Sequence, residues 1–245
     1  MIIYQRLSPE FGGTCYYDNF ISRGESSSWN GCVTGSGTGL GALCNPQMEV
    51  LAKNAAGNYA IVRPIFSFDK SAVGSATVNS ARLVLWVESA VDADPDGNDF
   101  ITVVRIERSN VDSPIAMADY HLCGSPITNP AEAIGTDQRK IISTISSNIV
   151  TGNTGGTWVT FEFNSTGVSW LNSTTGVIEF CIREGHDVLN SEIADDSVGN
   201  NVFFASGDTG NAAYVPYLEV DTRTERPMIF WSLSSMLPFI FWGLD

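Results

Sequence analysis

Basic side chains are scarce in this sequence. It contains 13 lysines and arginines against 27 aspartates and glutamates, which gives a formal net charge of −14 at pH 7. A protein that binds nucleic acid neutralises phosphates with a patch or stripe of basic residues, and no such stripe is visible along the chain. We therefore expect partners other than nucleic acid.

Cysteine is too sparse and too irregularly spaced to predict a fully paired disulfide scaffold. The five cysteines are Cys15, Cys32, Cys44, Cys123 and Cys181, and their odd number leaves at least one free thiol. Reduced, buried thiols are the expected state, with a Cys15–Cys44 or a Cys32–Cys44 bridge as alternatives. No CxxC or histidine-rich spacing indicates zinc.

The first residues, MIIYQRLSPEFGG, lack the basic start, the long apolar stretch and the cleavage site of a secretory signal. Two expectations follow. Either a signal was removed, or the protein does not use that export route.

Long helical patterns are also missing, whereas short segments of alternating apolar and polar residues are frequent. In SARLVLWVES, for example, Ala81, Leu83, Leu85 and Val87 share one face. A period of two is typical of half-buried antiparallel strands. The strand-like segments are MEVLAK, YAIVRPIFSF, SARLVLWVES, FITVVRIE, TWVTFEFN, GVIEFCIRE, NVFFAS and YVPYLEVD. They predict an all-β fold, an antiparallel β-sandwich of jelly-roll type.

The composition divides the chain into three parts. Residues 1–46 are rich in turn-forming glycine and serine and are predicted to be an irregular segment packed on the sandwich. Residues 47–222 form the predicted jelly-roll sandwich. Residues 223–245 are a charged, proline-terminated hinge followed by an apolar C-terminal arm.

Several motifs, taken in order, resemble the β-sandwich domains called DNRLRE domains, which are related to some carbohydrate-binding modules. The stretches that carry the resemblance are RPIFSFD, GSATVNSARLVLWV, ITVVRI, WVTFEF, SWLNS, GVIEFCI, VFFASGD and YVPYLEV. The resemblance implies a β-sandwich found in cell-surface, secreted and phage-borne proteins, which bind or build rather than catalyse. The middle of the chain departs from the family, because DSPIAMADYHLCGSPI has no tryptophan there.

The acidic segment DADPDGNDF is the most suggestive polar cluster. Asp92, Asp94 and Asp96 alternate as in the first half of a calcium loop, where carboxylates supply hard oxygen ligands. Calcium at these residues is therefore one hypothesis, and an acidic turn between two strands is the alternative. His186, in REGHDVLN, stands alone on what looks like an exposed turn.

Trp29, in the turn-rich SSSWNG, is the candidate sugar contact, because an exposed indole ring can stack on a pyranose. Core packing is the alternative for this ring.

The uncharged, aromatic-rich run from Met228 to Leu244 is too apolar to be left exposed to water. As a helix it would span only ~25 Å, which is short for the roughly 30 Å of membrane hydrocarbon. Folding back on its own sandwich is a second alternative. We favour a third, an arm that docks into a neighbouring subunit. The predicted docking residues are Met228, Ile229, Phe230, Trp231, Leu233, Leu237, Phe239, Ile240, Phe241 and Trp242.

Together these features predict a non-enzymatic structural protein of a virion, a phage capsid decoration or a tail appendage, located on the virion surface. Its expected partners are other virion subunits or copies of itself, as a homo-oligomer or in a larger assembly, with calcium as the one cofactor considered. The alternative is a carbohydrate-binding module of a secreted or cell-surface protein that contacts a host glycan. Nothing in the sequence singles out a catalytic pair.

Overall fold

The fold is mostly β, and the prediction of an all-β class is confirmed. The computed structural model describes residues 1–4, 18–25, 28–41, 44–106, 108, 114–124, 139–151 and 155–222. Within these ranges the strands are Ile2–Tyr4 (β1), Asp18–Glu25 (β2), Gly39–Leu40 (β3), Gln47–Ala55 (β4), Asn58–Asp69 (β5), Ser80–Val91 (β6), Phe100–Arg105 (β7), Lys140–Ile141 (β8), Thr157–Glu162 (β9), Val177–Glu184 (β10), Asp196–Ala205 (β11) and Tyr217–Asp221 (β12).

All described strand pairs are antiparallel, and together they form one curled sheet. Its longest path runs β1-β12-β6-β11-β4-β5-β10-β7-β8. Three strands branch from this path, because β2 pairs with β5, β3 pairs with β2, and β9 pairs with β6. An antiparallel, curled sheet is therefore the architecture that the structure shows.

The eight segments predicted from period-two alternation all form strands. In β6 the predicted inward residues Ala81, Leu83, Leu85 and Val87 are all buried. The apolar stripe is buried because the sheet curls around it, so these side chains pack against those of the other strands. The core thus lies inside the curl.

The N-terminal part corrects one prediction. Residues 1–46 were expected to be irregular, but β2 pairs with β5 from Asp18↔Phe66 to Glu25↔Tyr59, and β1 pairs with β12. Local composition misled the prediction, since the glycine and serine residues that indicate turns flank strands fixed by partners far along the chain.

Four α-helices lie in the described residues: Trp29–Thr34 (α1), Ile142–Thr151 (α2), Ser165–Ser173 (α3) and Gly185–Leu189 (α4). Two 3₁₀ helices span Lys70–Val73 and Met117–Leu122. The segment STGVSWLNS forms α3. Asn164 begins α3 by accepting hydrogen bonds from the amides of Thr166 and Gly167.

The cysteines divide into two states. Cys44 is disulfide-bonded, so the expectation of a reduced thiol is wrong there. Cys32, Cys123 and Cys181 are free and buried, which excludes the Cys32–Cys44 bridge; Cys15 lies outside the described residues. Burial raises the pKa of the Cys32 thiol to about 12, so this thiol is protonated at neutral pH.

Candidate functional site

Pairing between β7 and β10 positions the most distinctive polar cluster. Glu184, the last residue of β10, is opposite Ile101 at the start of β7. This places α4, which follows β10 directly, beside loop 92–99, which precedes β7. Asp94 and Asp96 of the loop therefore face His186 of α4.

Glycine at position 185 permits this close approach. A Cβ atom there would lie only 2.0 Å from the carbonyl oxygen of Asn98 and 2.6 Å from the Phe100 ring. Any larger residue would push α4 away from the loop, and with it His186.

His186 is buried and oriented by a neighbouring carboxylate. Its side chain is 0% exposed, and its Nδ1 lies 2.9 Å from Oε1 of Glu184, which is also fully buried. The other oxygen of Glu184 accepts the His186 amide at 2.7 Å and so caps α4. Nε2 therefore points toward the acidic loop, 3.5 Å from Asp94 and 3.4 Å from Asp96.

The electrostatics of this cluster are dominated by carboxylates. Burial alone would lower the pKa of His186, but Glu184 and Asp96 outweigh it and raise that pKa to about 9. Burial raises the pKa of Glu184 above its ordinary value, and His186 opposes this shift. The neighbouring carboxylates therefore favour a protonated His186 at neutral pH.

Asn200 joins loop 92–99 to Glu184, the residue that precedes α4. Its Oδ1 accepts hydrogen bonds from the backbone amides of Ala93 and Asp94, at 2.8 and 3.1 Å. Its Nδ2 donates to Asp99 at 2.9 Å and to Glu184 at 3.2 Å. Since Asn200 is fully buried, these four bonds fix the loop against the end of β10.

The structure brings together two of the three residues predicted to bind calcium. Asp94 and Asp96 each place one oxygen within 4.8 Å of the other and of a His186 nitrogen. Asp92 does not belong to this group of ligand atoms, and burial raises its pKa. His186 was missed because it looked isolated on an exposed turn, whereas it is buried.

A second buried cluster joins Arg63, Arg183 and Asp187, all at most 1% exposed. Each guanidinium donates two hydrogen bonds to the Asp187 carboxylate, at 2.6–2.8 Å for Arg63 and 2.8 Å for Arg183. Burial alone would raise the pKa of Asp187, but the two arginines outweigh it and hold that pKa well below its usual range.

This ion cluster links the sheet to two segments that cover it, α1 and the 3₁₀ helix Met117–Leu122. We call these two segments the covering layer. Arg63 also donates to the carbonyls of Val33 in α1 and Tyr120 in the 3₁₀ helix Met117–Leu122, at 2.8 and 2.7 Å. Its guanidinium carbon lies 3.8 Å from the centre of the Tyr120 ring. The cluster therefore joins α1 and this 3₁₀ helix to β5, β10 and α4.

Trp29 lies in the core. It is 4% exposed and packs edge-to-face on Tyr59, with ring centroids 5.8 Å apart. This is the core-packing alternative for that ring, so a sugar platform has to be sought elsewhere on the surface.

Four aromatic rings meet on β6, on β9 and at the start of β12; Trp158 is the exposed one, whereas Trp86 is buried. Trp158 is 41% exposed and contacts the rings of Trp86 and Tyr217, at centroid distances of 5.3 and 5.8 Å. Trp86 stacks on Tyr214 at 4.3 Å. We call Trp86, Trp158, Tyr214 and Tyr217 the aromatic face. Beside it is a groove of about 320 Å³, whose lining includes Trp158, Thr160, Arg139, Lys140 and Asn148.

The predicted docking arm lies outside the described residues, which end at Thr222. Among the helices that the structure describes, none is both long and apolar enough to cross a membrane.

Comparison with known proteins finds no matching family model and no matching curated protein. The resemblance to DNRLRE and carbohydrate-binding domains thus rests on the sequence motifs alone, and it stays a prediction.

Proposed function

We propose that this protein is a non-enzymatic structural subunit of an external assembly, such as the surface or an appendage of a virion. In this proposal the curled sheet is a jelly-roll sandwich, and the C-terminal arm docks into neighbouring subunits, either copies of the same chain or other components. The observation that carries the proposal is the uncharged run Met228–Leu244, which follows an acidic β domain.

The arm begins a few residues after β12, and the surface around β12 supports the proposal. Ile2 on the adjacent strand β1 is 50% exposed, and Trp158, which contacts Tyr217 of β12, is 41% exposed. Contiguous exposed apolar groups are typical of surfaces that meet another protein, and Trp158 with its neighbouring ring Tyr217 contributes such a group. A neighbour's arm would find apolar contacts there.

Thermal unfolding of residues 1–226 and of the full chain tests whether the arm is separate from the core. In dilute solution, where an oligomer dissociates, we expect midpoints that agree within about 2–4 °C, equivalent to about 1 kcal/mol for a chain of this size, because docking between subunits stabilises only the assembled state. An arm packed in its own core would bury several aromatic rings, and its removal would lower the midpoint far more. A large drop in the midpoint that persists on dilution would refute a docking arm, and partitioning of the full chain into detergent would favour a membrane segment.

Glycan recognition is a second candidate, favoured by the aromatic face and its groove. An exposed indole ring beside arginine, lysine and asparagine side chains can stack on a sugar while the polar groups bind its hydroxyls. Under this alternative the protein is a carbohydrate-binding module on a cell surface or in the extracellular space.

A glycan array followed by affinity measurement tests the second candidate. Trp158→Ala is expected to weaken any bound glycan at least about tenfold, because truncating a central tryptophan contact typically costs that much. Trp158→Phe retains a ring, and Val198→Ala removes an exposed apolar group elsewhere on the surface. No glycan binding by the wild-type protein, or equal binding by all four chains, would remove this candidate.

A further inference from the structure

The Nε2 atom of His186 is buried without a hydrogen-bond partner among the described residues. Two carboxylate oxygens lie 3.4 and 3.5 Å away from it. Charge-assisted N–H···O bonds are about 2.7–2.9 Å long, so these distances are not those of direct bonds. A buried polar atom that faces two carboxylates at that distance indicates a binding position for a water molecule or an ion.

The spacing matches a metal ion. Two ligand atoms that bind one tetrahedral zinc ion at about 2.0–2.1 Å are separated by roughly 3.3–3.4 Å. The two nitrogen–oxygen separations at His186 already have nearly that value. All three ligand atoms lie within 4.8 Å of one another, so a small movement of the aspartates would complete the set.

We propose that Asp94, Asp96 and His186 bind a divalent transition-metal ion of the zinc class. Imidazole nitrogen combined with carboxylate oxygen suits zinc, whereas calcium prefers oxygen ligands alone. Glu184 acts as the positioning residue, since its bond to Nδ1 turns Nε2 toward the ion, as carboxylates behind metal-bound histidines do. Asp96 is 40% exposed, so the ion has a path from solvent and an open position for water.

The bound ion links loop 92–99 to α4 and offsets the negative charge that Asp94, Asp96 and Glu184 concentrate there. This proposal does not depend on the docking arm, because all of its residues lie in the described sheet and its loops.

The test uses the full chain without an affinity tag, stripped of metal by a chelator. It is titrated with ZnCl₂ by calorimetry and with CoCl₂ by visible absorption. We expect one ion per chain and a cobalt spectrum of low coordination number. Asp96→Asn should weaken zinc binding about 10–100-fold, and His186→Gln should also abolish the cobalt absorption.

The chain offers matched controls for both substitutions. Asp195 is exposed and outside the ligand group, and His121, the other of the two histidines, is also exposed. Asp195→Asn and His121→Gln should therefore bind zinc like the wild type. Asp96 is at the surface, so Asp96→Asn reports on the site even where His186→Gln fails to fold.

Three results would overturn the proposal. The first is a wild-type chain that binds neither zinc nor cobalt. The second is an Asp96→Asn chain that binds zinc as tightly as Asp195→Asn. The third is displacement of zinc by CaCl₂, which would assign the loop to calcium.

Discussion

Replacing Asp187 with alanine is expected to lower the free energy of unfolding by about 3–5 kcal/mol, the usual cost of leaving a buried charge without its partner. Arg63 and Arg183 each donate two hydrogen bonds to this carboxylate. Without it, the two buried guanidinium groups repel each other, because Asp187 is their only carboxylate partner among the described residues. Urea unfolding followed by circular dichroism measures the change.

A surface ion pair provides the control for Asp187. Arg82 and Glu219 are 2.7 Å apart but 45% and 39% exposed, so Glu219→Gln should cost only about 0–1 kcal/mol. If both substitutions cost the same small amount, the buried cluster does not hold the covering layer on the sheet.

The same carboxylate sets a direction for pH dependence. The pKa of Asp187 in the folded protein lies below the ordinary aspartate value of about 3.9. The carboxylate therefore contributes fully to the free energy of unfolding above about pH 3.9, and this contribution is lost as the pH falls through the lower pKa of the folded protein. The stability difference between the wild type and Asp187→Asn should therefore stay constant from neutral pH to about pH 5 and shrink in strong acid. A difference that disappears near neutral pH would contradict this assignment.

Phe180→Ala is expected to cost about 3–5 kcal/mol, because it opens a cavity where several rings meet. The Phe180 ring lies 5.8 Å from Phe68, 5.4 Å from Phe163 and 5.5 Å from Trp170. These rings join β5, β10 and α3 inside the curl. The measurement is again the free energy of unfolding in urea.

Val198→Ala serves as the comparison for Phe180→Ala. Val198 is 51% exposed, so its truncation should change the unfolding free energy by no more than about 0.5 kcal/mol. A cost below about 1 kcal/mol at Phe180 would mean that the core does not pack around β10 as described.

Strand positions could be predicted from the sequence, but the number of buried faces could not. In β10 the alternation of Ile178, Phe180 and Ile182 predicted one inward face, and these residues are buried. The opposite face carries Arg183 and is also buried, and Arg183 donates there to the carbonyl of Cys123, which follows the 3₁₀ helix Met117–Leu122. That segment is about sixty positions away in sequence, so the local pattern of β10 gives no sign of it.

The cluster of Asp94, Asp96 and His186 could also be predicted only in part, because its members are distant in sequence. Alternating carboxylates made Asp94 and Asp96 visible within one loop. His186 is ninety or more positions away, and only the pairing of β7 with β10 brings it to them. Its one local signal is Glu184, two residues earlier, which also orients the imidazole ring.

Sedimentation velocity of the full chain and of residues 1–226 tests the central claim most directly. The docking arm predicts that the full chain forms a defined oligomer, or binds a partner subunit, and that residues 1–226 remain a folded monomer. The full chain carrying Phe239→Ser, Phe241→Ser and Trp242→Ser should behave like the shortened one. A full chain that is a well-behaved monomer, together with an unfolded 1–226, would contradict the account and place the arm in the core.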